Sequence, residues 1–473
     1  MNRLIIFFCC LFLSPNDEVQ KKASHPTTKP MISKTDTTTV DSFSEDKIYN
    51  AKVLESIFQK LSENDNHKSQ KINIVHIGDS HIQGDLMTNE IRKNLQQRFG
   101  NAGRGLVFPY QLAKTNGSYN ERFRSNRTWE SYRNIHPHKD YPVGLSGIGL
   151  WRDSGGFAVE LNVKDPAYKF NSIKIITPQN QNMFDLATSS QTNIIQSTER
   201  KVINHKIKKG EAISTIADKY NVSVAEIKKD NRLKSDNIRA GRTLKIRTNE
   251  TKPKTIKSSA FVSLDVESDS FCHYYNSEKA LDKIFLIPNK DASKFELNGI
   301  VLEKDAPGIL YSNIGVNGAK YSDYNKYPLF FEQLKALHPD LLVFSLGTNE
   351  SYDHMEASAY INELRQFIKN IKAQNINVPI IVMTPPPSLL KARKPNIYVQ
   401  DYAKNILRSA ETDGFAVWDL YDEFGGMDGI RKLKAEKLIG PDYVHYSKKG
   451  YEKQGNLFTQ AFLKAYDNFK LKN

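Results

Sequence analysis

The sequence predicts an α/β protein: a parallel sheet with helices on both faces, interrupted by a β-rich insertion that itself carries a small βααβ module. Three observations predict it. Short apolar runs that end in turn residues alternate with helical patterns at both ends of the chain, as at INIVHI (Ile72–Ile77) and LLVFSL (Leu341–Leu346). Between them, from about residue 105 to 310, apolar and polar residues alternate one by one, as in half-buried strands. Inside that stretch, from about 200 to 250, a strand, two short helical patterns and a closing strand follow one another.

Taken in order, MNR followed by LIIFFCCLFL has the proportions of a short secretory leader. Residues 1–14 are therefore expected to be a signal peptide, and the protein to be exported to the periplasm or cell envelope. Residues 15–45 are polar and rich in Ser, Thr, Lys and Pro, which predicts a disordered linker. Residues 46–104 form the first part of the α/β domain, with a helical pattern near Val53–Leu61, the strand Ile72–Ile77 turning at Gly78, and a helix from near Leu86. The β-rich insertion occupies 105–200 and 250–308, through GFAVELNV, SIKIITP, AFVSLDV, KIFLIP and FELNGIVLE. The inner module lies at 201–249. Residues 309–473 resume the α/β pattern with LLVFSL, a helix over Ala357–Lys372, PIIVMT, a helix near Asp401–Asp413, FAVWDL and a last helix over Lys448–Phe469. Strands alternating with helices imply right-handed βαβ connections.

A chain of 473 residues divides into more than one core. No run approaches the roughly 20 apolar residues of a membrane-spanning helix, so no integral span is expected. Cys9 and Cys10 fall in the leader and only Cys272 follows, which leaves no internal disulfide to close. The formal charge of +14 suits an anionic matrix such as a cell envelope. Residues Ile203–Arg247 hold 12 Lys or Arg against 5 Asp or Glu, yet no nucleic-acid motif accompanies them, and no nucleic acid is expected as a partner. His76, His81, His136, His138 and His273 lack a ligand spacing, and neither a metal nor another cofactor is expected.

A serine hydroxyl becomes a competent nucleophile when a base is within reach, a third group orients the base, and donors await the developing oxyanion. GDSH (Gly78–His81) stands where a strand ends and a helix begins, the end of an open α/β sheet at which ligands bind. GTNE (Gly347–Glu350) follows the strand LLVFSL and places Asn349 at a second strand end. DYVH (Asp442–His445) precedes the last helix, with a three-residue spacing that lets the carboxylate turn back onto the imidazole. Each stretch alone reads equally well as an ordinary turn, loop or helix start.

Together with NIGVNG (Asn313–Gly318), these stretches resemble, in order and relative placement, the four sequence blocks of SGNH (GDSL) hydrolases. That resemblance implies a flavodoxin-like parallel sheet, with Ser80 as nucleophile, His445 as general base and Asp442 orienting it. It also implies an oxyanion hole from the Ser80 and Gly318 backbone N–H groups and the Asn349 amide. Glu350 departs from the Asp found in many members and is not expected to touch the chemistry, and His81, beside the nucleophile, is read as a contact to substrate or to the nucleophile's surroundings. The stretch HKIKKGEAISTIADKYNVSVAEIKKDNRL, closing with IRAGRTLKI, resembles a LysM domain, a glycan-binding βααβ module. Its pattern of Ile207, Ile213, Ile216, Ala217, Tyr220, Val222, Ile227, Leu233, Ile238, Leu244 and Ile246 suits a small core; Gly210-Glu211-Ala212 departs from the usual Gly-Asp-Thr. The outer insertion resembles the β-sandwich of bacterial peptidoglycan O-acetylesterases, and its Trp129, Trp151 and Tyr132 are read as core residues.

The resemblances imply a serine esterase that removes O-acetyl groups from cell-wall peptidoglycan through an acyl-enzyme, with the LysM domain holding it on the glycan. An acetyl esterase for other polysaccharides such as hemicellulose, a lipase or thioesterase, and a non-catalytic wall-binding protein are the competing readings.

Overall fold

In a computed structural model, residues 47–67, 70–137, 141–191, 194–196, 198–253 and 256–472 are described. The expected signal peptide and linker, and His138, lie outside the described residues.

Six strands form the central sheet: β1 (Ile48–Tyr49), β2 (Lys71–Gly78), β3 (Gly308–Gly315), β4 (Leu341–Ser345), β5 (Ile380–Met383) and β6 (Ala416–Trp418). Their order is β1-β6-β5-β4-β2-β3, all parallel except β1, which pairs antiparallel with β6. Successive side chains of a strand point to opposite faces, and the two faces enter two different cores. Val75, Ile77, Leu342, Phe344, Ile380 and Val382 join one; Ile72, Ile74, Leu341, Val343, Ile381 and Met383 join the other. Because both faces are covered, these strands are continuous apolar runs.

The covering helices are α1 (Glu55–His67), α3 (Leu86–Phe99) and α7 (Lys448–Lys472) on one face, and α5 (Ala357–Lys372) and α6 (Ile397–Asp413) on the other. Two short helices, α2 (Ser80–Gln83) and α4 (Thr348–Tyr352), begin at the ends of β2 and β4. In α5 the buried residues Tyr360, Ile361, Leu364, Phe367, Ile368 and Ile371 recur at helical spacing, and Lys369 and Lys372 in the last turn suit the negative end of the helix dipole. Gly414 ends α6 in a left-handed conformation at φ 74°, its N–H donating to Ala410 O.

The insertion contains two five-stranded antiparallel sheets and a three-stranded one made of Glu130–Arg133, Ile148–Arg152 and Phe295–Leu297. One five-stranded sheet contains Glu121–Ser125, Val159–Val163, Phe184–Thr188 and Lys283–Pro288; the other contains Gly103–Val107, Phe170–Ile176, His273–Leu281 and Gly299–Glu303. Phe123, Leu161, Leu186 and Ile284 from the first share a core with Ile173, Ile175 and Ile300 from the second, which makes the pair a sandwich. Its first and last long strands pair with each other, and Leu106 N–H donates to Ser312 Oγ at 3.0 Å, so the insertion covers the β3 edge of the central sheet. Trp129 is 3 % exposed and packs edge-on against Phe157, a core residue as expected, whereas Trp151 and Tyr132 are only partly buried.

Within the insertion, Thr198–Lys206 pairs antiparallel with Thr243–Pro253, and helices Ile213–Lys219 and Val224–Asn231 lie between. Every residue of the expected small core is in its cluster, seven of them buried and Tyr220, Val222, Leu233 and Ile238 partly so. The second helix starts in a capping box: Ser223 Oγ accepts from Glu226 N–H, and Ser223 N–H donates to Glu226 Oε2, both at 3.2 Å. The departure at Glu211 keeps its loop closed. The Glu211 carboxylate accepts from Lys208 N–H at 2.7 Å and meets His205 Nε2 at 2.9 Å.

Candidate active site

The strand β2 ends at Gly78 under tight packing, since a Cβ there would sit 2.4 Å from Ile82 Cγ1 and 2.7 Å from Ser345 O. The chain then turns at Asp79, whose Oδ1 accepts from His81 N–H at 2.9 Å and caps α2. Ser80 is thereby presented at the carboxyl end of the sheet. Its Oγ lies 2.9 Å from His445 Nε2, and His445 Nδ1 lies 2.7 Å from Asp442 Oδ2. An ionised carboxylate only accepts, so Nδ1 carries the imidazole proton and Nε2 is left to accept from the serine hydroxyl.

Asp442 and His445 share one short loop. Asp442 Oδ1 accepts from the N–H groups of Val444 and His445, each at 3.0 Å, while Gly440 N–H donates to His445 O at 2.7 Å. Partial burial pulls Asp442 upward, but the His445 ring, the Val444 N–H and the imidazole charge outweigh it and hold the carboxyl at about 2. The hydrogen bond that His445 donates to Asp442 raises His445 above its ordinary value against the opposing pull of burial, and the charges of Asp442 and Asp79 add to it.

The second wall is built by the loop after β3. Gly318 has φ 86°, a left-handed conformation that favours glycine. Asn349, at the start of α4, donates through Nδ2 to Ala319 O at 3.0 Å and to Asp79 Oδ2 at 3.3 Å, which brings its amide beside both the Gly318 loop and the residue preceding Ser80. Among the described residues no acceptor meets the N–H of Ser80 or of Gly318. All five residues expected from the sequence are therefore gathered at one end of the sheet: Ser80, His445 and Asp442 in a hydrogen-bonded chain, Gly318 on the loop after β3, and Asn349 at the start of α4 bonded to that loop.

Gln83 was not expected at this site. It is fully buried, and its Oε1 accepts from Asn317 N–H at 2.6 Å, next to Gly318, while its Nε2 donates to Asn116 O at 2.6 Å and Thr115 Oγ1 at 3.0 Å. Nothing in a single sequence marks a glutamine three residues after Ser80 as a brace for a loop more than two hundred residues away. Replacing Gln83 with alanine strands the Asn317 N–H, a cost on the order of 1–3 kcal/mol. We expect it to lower both Tm and kcat; a lower Tm with kcat unchanged would confine Gln83 to holding the Thr115–Asn116 loop.

His81, expected as a contact to substrate or to the nucleophile's surroundings, is 7 % exposed and bonds Tyr451 OH through Nδ1 at 2.9 Å. Burial pushes it down to about 3, so it is a neutral ring, packed 5.4 Å from that of His445, centroid to centroid, among the residues around the nucleophile. Glu350 is buried completely, and its Oε1 accepts from Tyr321 N–H at 2.9 Å. Burial raises it to about 8 and the neighbouring Asp79 to about 7. His76 lies between Tyr311 OH and Ser345 Oγ inside the sheet, and His273 meets Asn180 O.

Residues 298–453 match the GDSL-like Lipase/Acylhydrolase family, and residues 205–247 match the LysM domain. The chain resembles a solved structure of a peptidoglycan O-acetylesterase at a TM-score of 0.59 and 18 % identity, over 89 % of this chain and 99 % of that one. At that identity the likeness speaks for the fold. A lipase/acylhydrolase from Enterococcus faecalis matches at 22 % identity over 32 % of this chain and 75 % of its own, with a TM-score of 0.27. The acetyl xylan esterase AlAXEase matches at 18 % identity over 32 % and 81 %, with a TM-score of 0.27. No curated protein matches the sequence. The chain is a carboxylic ester hydrolase with an SGNH-type α/β fold, in which residues 298–453 match the GDSL-like lipase/acylhydrolase family and residues 205–247 match the LysM domain.

Proposed function

We propose that this protein is a cell-envelope esterase that removes O-acetyl groups from peptidoglycan, with Ser80 as nucleophile, His445 as general base and acid, and Asp442 orienting it. The observation that carries the reading is the continuous Ser80–His445–Asp442 hydrogen-bond chain in a protein that also carries a LysM domain. Ser80 attacks the acetyl carbonyl as His445 Nε2 takes its proton. The tetrahedral oxyanion is met by the N–H groups of Ser80 and Gly318 and by Asn349 Nδ2. His445 returns the proton to the departing sugar hydroxyl, and water then cleaves the acetyl-serine by the same route. The LysM domain raises the local concentration of enzyme on its polymer. The division at 46–104, 105–200, 201–249, 250–308 and 309–473 is part of the same reading.

The half-exposed triad loop suits an acyl group presented on a large polymer, and the likeness to a peptidoglycan O-acetylesterase structure points to the same substrate. The experiment is acetate release from O-acetylated peptidoglycan compared with acetylated xylan. Preference for peptidoglycan supports the assignment; preference for xylan replaces it with a hemicellulose acetylesterase.

The pH profile follows from the base. His445 must be neutral to accept the Ser80 proton, and its folded value stands above the ordinary 6.5. Activity is therefore lost as pH falls through a value above 6.5, so the acid limb of kcat/KM should have its midpoint there. In Asp442→Asn that limb should move to lower pH while the plateau rate drops. An acid limb that stays in place would mean that a group other than His445 titrates.

A further inference from the structure

Strand Glu130–Arg133 pairs antiparallel with Ile148–Arg152, placing Ser131 opposite Leu150 and Arg133 opposite Ile148. Directly opposed residues share a face of a sheet. Ile148 and Leu150 are fully buried, so Ser131 and Arg133 lie on the face that these two residues turn inward. Two contacts identify what the inward face meets. Ser131 Oγ donates to Ala113 O at 3.3 Å, just before the Thr115–Asn116 loop that Gln83 and Asn317 hold. Ile135, two residues beyond Arg133, is the nearest side chain to Gly318, 3.7 Å from a Cβ built there. Arg133 therefore stands between two segments that border the oxyanion loop.

Its guanidinium is partly buried and has no carboxylate within ion-pair distance among the described residues. The two fully buried arginines nearby differ in this respect: Arg92 is paired with Asp85, and Arg104 with Asp85 and Glu121. Burial pulls the Arg133 guanidinium below its ordinary value, no described residue opposing it, and after burial its charge and that of Lys326 are what lower His136. Lys326 already has a carboxylate partner in Asp323, at 2.8 Å. Removing a cation from water without a counter-ion costs stability, and at the border of a catalytic loop the group that compensates it is an anion on the ligand.

We propose that Arg133 binds a carboxylate on the acetylated glycan, so that the site selects acidic polymers over neutral ones. A guanidinium presents paired donors that match a carboxylate. The stem-peptide carboxylates of peptidoglycan, and the lactyl carboxylate where the peptide has been removed, supply such a group near the esterified sugar, and uronic acids supply the same chemistry. The inference rests on the esterase reading above and adds a basis for its substrate choice.

The test is steady-state kinetics of Arg133→Gln and Arg133→Lys on O-acetylated peptidoglycan, 4-nitrophenyl acetate and glucose pentaacetate. With Arg133→Gln, kcat/KM on peptidoglycan should fall about tenfold or more, mainly through KM, and on the two neutral esters by no more than about twofold. Arg133→Lys should recover part of the peptidoglycan loss. Parallel losses on all three substrates, or unchanged kinetics on peptidoglycan, would overturn the proposal. If the wild type releases no acetate from peptidoglycan, the substrate reading fails by itself. Arg133 is then judged on acetylated pectin, where the same rise in KM upholds it and unchanged kinetics overturn it.

Discussion

Replacing Ser80 with alanine is expected to lower kcat by about 10⁴-fold or more on any acetyl ester, because it removes the atom that becomes acylated. The oxyanion donors would survive and leave a small residual rate over water. The fold should be untouched. The hydrogen bond from the Ser80 side chain goes to His445, a residue held independently by Asp442 and by its own loop. The tight packing at this turn belongs instead to Gly78 and to the Asp79 cap. Equal Tm values for wild type and Ser80→Ala, measured beside acetate release, separate the lost chemistry from lost structure. A variant that keeps a tenth of the wild-type rate would remove Ser80 from the mechanism.

The second large effect is expected at Asn349. Asparagine to alanine at an oxyanion donor costs about 10²–10³ in kcat, with KM changing little, because the amide meets charge that exists only as the carbonyl carbon turns tetrahedral. The side chain is already aimed: Ala319 O fixes its Nδ2 from the Gly318 loop, and Asp79 Oδ2 approaches from the nucleophile's side. Asn349→Asp should be at least as damaging as Asn349→Ala, since it sets a carboxylate where negative charge develops and beside Asp79. The readout is kcat on 4-nitrophenyl acetate. A loss below about fivefold would mean that the two backbone N–H groups carry the oxyanion alone.

How much of this was legible in the sequence depended on whether a feature is local. The runs Ile72–Ile77 and Leu341–Leu346 and the helix Ala357–Lys372 read clearly because burial on one stripe or on both faces leaves a periodic record. Strand β3 did not. Its eight residues, GILYSNIG, include Ser312 and Asn313, whose side chains are satisfied by Leu106 N–H and by Arg92, partners that no local pattern shows. Helix Gly426–Ala435 was also missed, since Gly425, Gly426 and Gly429 suggest a loop until Ile430 and Leu433 find a core to enter. At the site, Ser80, Asn349, Asp442 and His445 were marked by their short motifs. Gln83 was not, because what distinguishes it is the distant loop it braces, and neither was Arg133, whose lack of a carboxylate partner among the described residues is a property of the fold. The Tyr451 partner of His81 was hidden for the same reason: it lies 370 residues away.

The central claim is that the reaction passes through an acyl group on Ser80 activated by His445. The most direct measurement is covalent labelling with a fluorophosphonate, located by peptide mass spectrometry in the wild type and in His445→Ala. One adduct is expected, on Ser80, with acetate release falling in proportion to labelling, and labelling strongly slowed in His445→Ala. An active preparation that remains unlabelled, or one labelled at another residue, would contradict it.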